Sequence, residues 1–550
     1  MMIMTGPTQA LTSRIRPNGP ASSKARNKTK GAAMRHRPET AAHRIGRLAV
    51  TGLALLSLAA CTTNSGTAAA NVTDSTAVLS GVPSDLLPFY TQQVSWSDCG
   101  SGFQCASVSV PMNYADPQER TLKLAVIRQL ATDQNQLDGS LLVNPGGPGG
   151  SGIQYLRGGG VASAAVSAHY NLVSFDPRGV GQSDPIECLS DSQMDTFLSE
   201  PPDPSTPAEV QTVVSQAQFL AQRCEAKNAQ LLPYVGTADA ARDMDVLRAI
   251  LGEPKLNYLG KSYGTYLGAV YAQEYPQRVG RVVLDGAMDP NLTAMQLNLT
   301  QAAAFDNELK QFAENCATQS DCPLGPDPTT GLAHLKTWVD GLDAHPIPGD
   351  ATRKLNEAYA ITGIAFAMYS QTFWPDLKNA LTSAYSGNGA ELLAMADAYN
   401  DRSNGHFQDN STEANYAVNC IDHPGEATSV AQIESDLPAY EKAAPFFGEM
   451  VDWSGLPCAY WGAPATGTPH KISAQGSGPI VVVGTTRDPA TPYTWAQSLA
   501  TQLSNGHLLT MNGDGHTAYL RGSTCIDTAV DNYYLKGTVP QAGLVCQQGS

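Results

Sequence analysis

The sequence has no Cys-x-x-Cys pair and no His-Glu-x-x-His motif. The first absence leaves a zinc ribbon or a thioredoxin-type redox site without its sulfurs, and the second leaves a zincin without its metal helix. Charge is scarce, at 15% of residues, and the balance is acidic: 34 Lys and Arg against 50 Asp and Glu, a formal −16. Phosphate contact needs a basic face, so nucleic-acid binding is set aside. No internal repeat is visible, which excludes a solenoid. Beyond residue 60 no apolar run approaches the length of a membrane span. Glycine (50) and proline (36) are ordinary in 550 residues with 42% hydrophobic content, which excludes collagenous, coiled-coil and disordered chains. What remains is a globular chain with room for a large core and roughly two to four domains.

The charge is unevenly spread. Residues 1–60 hold ten Lys and Arg and one acid (Glu39), net +9, and the remainder carries 24 basic and 49 acidic residues, net −25. Arg44 and Arg47 precede thirteen uncharged, mostly apolar residues, LAVTGLALLSLAA at 48–60. A positive segment followed by an apolar one too short to span a bilayer predicts an export signal. It ends Leu58-Ala59-Ala60-Cys61, which resembles a bacterial lipobox. That resemblance implies a lipidated Cys61 as first mature residue, attached to the outer face of the membrane, with the chain exported or secreted. Met34 is an alternative start. A polar tether at 61–85 follows, without helical or strand periodicity.

Of the 11 cysteines, Cys61 belongs to the lipobox and ten remain. An even number in an exported chain predicts disulfides. Sequence alone does not determine connectivity. Nearest-neighbour pairing is expected because it closes short local loops: Cys99–Cys105, Cys188–Cys224, Cys316–Cys322, Cys420–Cys458 and Cys525–Cys546.

From about 120 to 290, strand and helix patterns alternate. LKLAVIRQL, SLLVNP, NLVSFDP, LNYLG and RVVLDG read as strands. TADAARDMDVLRAILG reads as a helix with Thr237 as N-cap, Asp239 in the first turn and Gly252 as stop. This cadence predicts a mostly parallel α/β sheet. Residues 291–475 read instead as Ala- and Leu-rich helices. The α/β pattern resumes at GPIVVVGTT, TPYTWAQSLATQL and HLLTMNG. The expected organisation is a core over 86–290 and 476–550, interrupted by a helical cap at 291–475.

Gly260-Lys261-Ser262-Tyr263-Gly264 sits between the strand LNYL and a helix. G-x-S-x-G in that setting is a nucleophile elbow. Small residues at −2 and +2 permit a tight turn that holds the serine hydroxyl out at the carboxyl end of the sheet. A serine nucleophile needs a base, and the base an orienting acid, in the order Ser, acid, His for this kind of elbow. Asp488 ends the strand of VVVGTTRDPATP, and His516 lies in the Gly-rich turn NGDGHTAY, 28 residues on. One helix and one strand fit that interval. Asp514 competes as the acid but is too close to His516 in sequence. The strand-ending PGGPGGSG supplies unhindered N–H groups. Gly147, with Gly146 in reserve, and Tyr263 are the expected oxyanion-hole donors.

Gly147-x-Gly149-x-x-Gly152 also fits a dinucleotide fingerprint, with Asp176 ending a later strand. It is set aside: the stiff turn DPRGVGQSDP follows, and the elbow and His516 would go unexplained. No cofactor and no metal are expected.

Together PGGPGGSG, DPRGVGQSDP, GKSYGTYLG, RDPATP and GDGHTAY, in this order, resemble the α/β-hydrolase serine peptidases of the proline-iminopeptidase clan, nearest to the secreted tripeptidyl-aminopeptidase branch. The similarity runs from about residue 85 to the C-terminus. It implies an α/β-hydrolase fold with a large helical cap, and an aminopeptidase acting on peptides with a free N-terminus. Pro145 stands where many iminopeptidases have His, which weakens a strict proline-iminopeptidase assignment. An esterase with the same triad is the alternative, and a non-catalytic surface binder the third. An aminopeptidase must pair the substrate ammonium with a carboxylate. Asp422 in NYAVNCIDHP, then Glu357 and Asp397, are the cap candidates. In that role Asp422→Asn would raise KM for free-amine peptides and spare acyl esters.

Overall fold

The computed structural model describes residues 75–425 and 429–550. The expected signal at 1–60, Cys61 and most of the tether lie outside the described residues. Ten strands form one sheet: β1 (Ser97–Asp98), β2 (Phe103–Pro111), β3 (Thr121–Gln129), β4 (Gly139–Asn144), β5 (Tyr170–Phe175), β6 (Leu256–Lys261), β7 (Val279–Asp285), β8 (Ile480–Arg487), β9 (Gly506–Asp514) and β10 (Val545–Gln547). Their order is β1-β2-β3-β5-β4-β6-β7-β8-β9-β10. From β5 to β10 every pairing is parallel, and β1, β2 and β3 join antiparallel at one edge.

The central strands are apolar at successive positions because helices cover both faces. Leu142, Val282, Leu284, Ile480 and Val482 enter one core. Their neighbours Leu141, Val143, Val283, Val481 and Val483 enter the other. This is the α/β-hydrolase fold, as expected.

The stretch between β7 and β8 holds eight α-helices among the described residues, from Ala294–Ala317 to Gly448–Ser454. These helices build a core of their own around Phe305, Phe312, Leu335, Phe366 and Leu381. Helix Glu357–Met368 is apolar on every side because it is buried on every side. Two short hairpins, Ile347–Pro348 with Lys354–Leu355 and Arg402–Ser403 with His406–Phe407, lie in this region where only helices were expected. No helix among the described residues is long and apolar enough to cross a membrane.

All five nearest-neighbour cysteine pairs are disulfides. Cys525–Cys546 ties helix Thr524–Lys536 to the edge strand β10, and Cys420–Cys458 ties helix Ser411–Asp422 to the turn Leu456–Tyr460.

Candidate active site

Strand β6 runs directly into Ser262, which sits at φ 56°, ψ −128°, before helix Tyr263–Glu274. A non-glycine residue at positive φ is costly and is kept where the surroundings over-determine it. Here Ser262 N–H donates to the Asp285 carbonyl at 3.0 Å, and Thr265 donates to the Ser262 carbonyl through its N–H (2.8 Å) and its hydroxyl (2.6 Å). The flanking glycines have no alternative. A Cβ at Gly260 would meet the Gly264 carbonyl oxygen at 2.2 Å, and one at Gly264 would meet Asn144 Oδ1 at 2.7 Å.

His516 comes to the same end of the sheet on the loop after β9. Its Nδ1 lies 2.9 and 3.0 Å from the two Asp488 carboxylate oxygens. Asp488 also accepts from Ala490 N–H (3.0 Å), Thr491 N–H (2.8 Å), the Thr491 hydroxyl (3.0 Å) and Thr517 N–H (3.1 Å). An ionised carboxylate only accepts, so Nδ1 carries the proton and Nε2 presents its lone pair. That Nε2 is buried with no hydrogen-bond partner in the protein. Asp514 is committed elsewhere, to Arg487 and Gln371.

The serine and histidine loops are locked together beneath the site. Buried Lys261 donates to the Tyr519 carbonyl at 3.0 Å, and Asp285 accepts the N–H groups of Ala518 (2.8 Å) and Tyr519 (3.1 Å). Burial pulls the Lys261 ammonium down to about 8, against the opposing pull of Asp285.

The glycine-rich loop after β4 presses on the elbow. Gly146 and Gly147 have φ of 97° and 116°. A Cβ on Gly146 would stand 2.5 Å from the Lys261 carbonyl oxygen and 3.0 Å from Tyr263 N. Tyr263 opens its helix, so its N–H has no acceptor within that helix. The cap holds the far side of this loop, where Asn415 Nδ2 donates to the Pro148 carbonyl at 3.0 Å. Asp176, the acid of the imitation dinucleotide motif, is a loop anchor: it accepts from Ser151 Oγ (2.6 Å), Ile153 N–H (3.1 Å) and Gln182 N–H (2.9 Å).

The cap also covers the histidine. The Tyr369 carbonyl accepts His516 N–H at 3.0 Å, and the Tyr369 ring meets the imidazole edge-on, with centroids 5.5 Å apart. Ser262 and His516 are each only 6% exposed.

A family model described as TAP-like protein matches residues 444–546. Over 481 residues the chain is 38% identical to serine protease Hip1 of Mycobacterium tuberculosis, covering 84% of this chain and 92% of that protein. This chain belongs to the TAP-like α/β-hydrolase family. It is a serine hydrolase. It is also 37% identical over 477 residues to carboxylesterase B of the same organism, covering 84% of this chain and 91% of that one. With the tripeptidyl aminopeptidase of Streptomyces lividans it shares 31% identity over 468 residues, covering 82% and 86%.

The amine-binding candidates of this TAP-like hydrolase have the following surroundings. Asp422 is buried, and both its oxygens are taken by Thr237, from N–H at 2.9 Å and from the hydroxyl at 2.5 Å. Glu357 is buried beside Asp203 and Asp340, their ligand atoms within 4.8 Å of one another. Lys336 is the cation there, 2.5 Å from Asp340 and 3.5 Å from Asp203. Burial, then Asp203 and Asp340, push the Glu357 carboxyl up to about 9. Asp397 pairs with Arg353 at 2.6 Å. Asp422 and Asp397 are thus engaged by partners inside the fold, whereas Glu357 Oε1 is buried without a hydrogen-bond partner.

Glu308 is an acid that the pattern of motifs did not point to. It lies on the buried stripe of helix Ala294–Ala317 with Phe305 and Phe312, and neither carboxyl oxygen has a hydrogen-bond partner. Burial, then the nearby Asp514 and Asp488, push it up to about 9. The folded chain therefore holds a proton there that the unfolded chain releases near the ordinary glutamate value. Its contribution is complete below that value and is lost as pH rises through about 9. Glu308→Gln cannot ionise. Its melting temperature is expected to fall less than that of the parent between about pH 5 and about pH 9. Equal falls in thermal melts would remove Glu308 from this role.

Proposed function

We propose that the chain is an exported aminopeptidase of tripeptidyl or prolyl type, cleaving peptides near a free N-terminus. The observation that carries it is Ser262 on its strained elbow at the same end of the sheet as the His516–Asp488 pair, whose buried Nε2 is left without a partner in the protein. Ser262 Oγ attacks the scissile carbonyl while His516 Nε2 takes its proton. Negative charge on the carbonyl oxygen is met by the N–H groups of Tyr263 and Gly147; Gly146, the reserve donor, drops out because its N–H donates to Asn144 Oδ1 at 2.9 Å. The imidazolium, steadied by Asp488, returns the proton to the leaving amine. Water then repeats the cycle on the acyl-enzyme, and neither metal nor cofactor enters the scheme.

The tripeptidyl aminopeptidase and serine protease relatives support a peptide substrate. The carboxylesterase B relative favours a second reading, hydrolysis of acyl esters with the same residues. A panel decides: tripeptidyl and aminoacyl anilides with free and blocked amino termini, beside p-nitrophenyl acyl esters. The aminopeptidase should favour free-amine anilides by at least about tenfold in kcat/KM, roughly 1.4 kcal/mol of differential binding. Indifference to blocking, with faster ester turnover, would give the esterase. A non-catalytic binder would resist fluorophosphonate labelling altogether.

Export and lipid anchorage through Cys61 belong to the same proposal. Five disulfides suit an oxidising compartment. In a bacterial host with a lipoprotein pathway, the parent chain should partition into detergent, and Cys61→Ser should move it to the aqueous phase.

A further inference from the structure

Asp422 closes helix Ser411–Asp422 of the cap and faces the start of helix Thr237–Ile250 in the core. Thr237 was expected to cap its own helix. The N-cap residue is instead Gly236, which has no side chain to offer, and Asp422 does the capping from across the cap–core boundary. A carboxylate at a helix N-terminus meets unpaired N–H groups and the positive end of the helix dipole. The Thr237 hydroxyl donates to Asp422 Oδ2 at 2.5 Å and is itself hydrogen-bonded to the Tyr263 phenol. With its only proton on Asp422, Thr237 accepts from Tyr263.

The position of Asp422 is tightly set. A Cβ on Gly236 would lie 3.0 Å from Asp422 Oδ1, and one on Gly467 would lie 1.8 Å from the Asp422 carbonyl oxygen. Thr466 and Gly467 both donate N–H to the Ile421 carbonyl at 2.9 Å, and the Cys420–Cys458 disulfide anchors the same turn. At the other end of the chain of hydroxyls is Tyr263, the residue directly after the nucleophile.

We propose that Asp422 is a positioning residue that holds the Tyr263 N–H in place for the oxyanion, acting through the Thr237 hydroxyl and the Tyr263 phenol. The inference rests on the proposed role of Ser262 and Tyr263. The phenol ring is fixed at its tip by Thr237 and at its base by the elbow, so the backbone N–H cannot swing. The Tyr263 side chain is thus a strut between cap and oxyanion hole, and a properly seated cap becomes a condition for catalysis.

The test uses Asp422→Ala, Thr237→Val, Thr237→Ser and Tyr263→Phe in the full chain. Substrates are a free-amine tripeptidyl anilide and a blocked ester. Asp422→Ala, Thr237→Val and Tyr263→Phe are each expected to lower kcat about 10- to 100-fold on both substrates with KM unchanged. A peptide boronate should bind more weakly by a similar factor. Thr237→Ser, which keeps the hydroxyl, should restore kcat. The losses in the Asp422→Ala and Tyr263→Phe double variant should not multiply, because both break one chain. Tyr263→Phe removes a single oxygen, so it reports even where another variant folds poorly. Parental kcat in Tyr263→Phe and Thr237→Val would overturn the proposal. So would a KM rise confined to the free-amine peptide, which would return Asp422 to amine binding. A lowered melting temperature with parental kcat would overturn it as well. Should Ser262→Ala keep its activity, the failure lies with the site itself. If Ser262→Ala is dead and these variants are not, it lies with the positioning role.

Discussion

Ser262→Ala is expected to lower kcat by about 10⁶-fold and leave the melting curve in place. The two halves of that expectation have separate causes. Without Oγ no acyl-enzyme can form, and His516 and the oxyanion donors retain only the residual acceleration of binding and electrostatics. The fold, by contrast, does not use the serine hydroxyl. The elbow is held by the backbone N–H and carbonyl of residue 262, bonded to Asp285 and Thr265. Alanine and serine bear a similar cost at φ 56°, because both carry a Cβ. The measurements are steady-state hydrolysis of an activated ester, fluorophosphonate labelling and thermal melting on the same preparation. Parental turnover would remove Ser262 as nucleophile. Loss of turnover together with a collapsed melt would leave catalysis unseparated from folding, and burst titration of any folded fraction would then be the deciding number.

The residues of this site were legible to unequal degrees. Ser262, Asp488 and His516 could be named because each lies where a strand ends in a short-range motif whose geometry is local. Strand β6, the elbow and its glycines form one continuous segment, so the positive φ at Ser262 follows from neighbours in sequence. Asp422 could be placed in the cap, but its contact could not. Its partner Thr237 is 185 residues away, and the pairing exists only because the cap helix ends on a core helix start. The candidate was an acid seen without its partner. Glu308 escaped for the opposite reason: an acid on an apolar stripe is the visible sign of a buried carboxyl, but no motif drew attention to it.

The fold shows the same division. The parallel strands were readable as apolar runs punctuated by turns. Strand β2, FQCASVSVP, lies second from the edge and alternates between more and less buried positions only over 107–110, too short a stretch to stand out in the sequence. Helix Pro207–Asn228 carries a complete capping box, Thr206 with Glu209, together with a proline in its first turn. Those signals are local and were available. The two hairpins of the cap were not, since two-residue strands have no periodicity to detect.

Asp488→Asn is expected to lower kcat by roughly 10⁴-fold, with a much smaller change in KM. The asparagine would fill the same volume, so the argument concerns protons rather than packing. Asp488 receives four N–H or O–H groups from Ala490, Thr491 and Thr517 in addition to His516 Nδ1. An amide has one accepting oxygen and one donating nitrogen, so it cannot serve all of them. If the oxygen stays with the backbone N–H groups, the NH₂ faces His516 and donates to Nδ1. The imidazole then carries its proton on Nε2, the nitrogen that must be empty to accept one from Ser262. The wrong tautomer removes the base without moving an atom by much. Asp514→Asn is the control, because Asp514 bonds to Arg487 and Gln371 and sets no imidazole tautomer. Its kcat should stay within about threefold of the parent, a margin of under 1 kcal/mol. The deciding data are kcat and KM for both variants, with imidazole ring-nitrogen NMR to report the tautomer. Equal, small losses in the two would leave His516 without an orienting acid and would sink the triad as assigned.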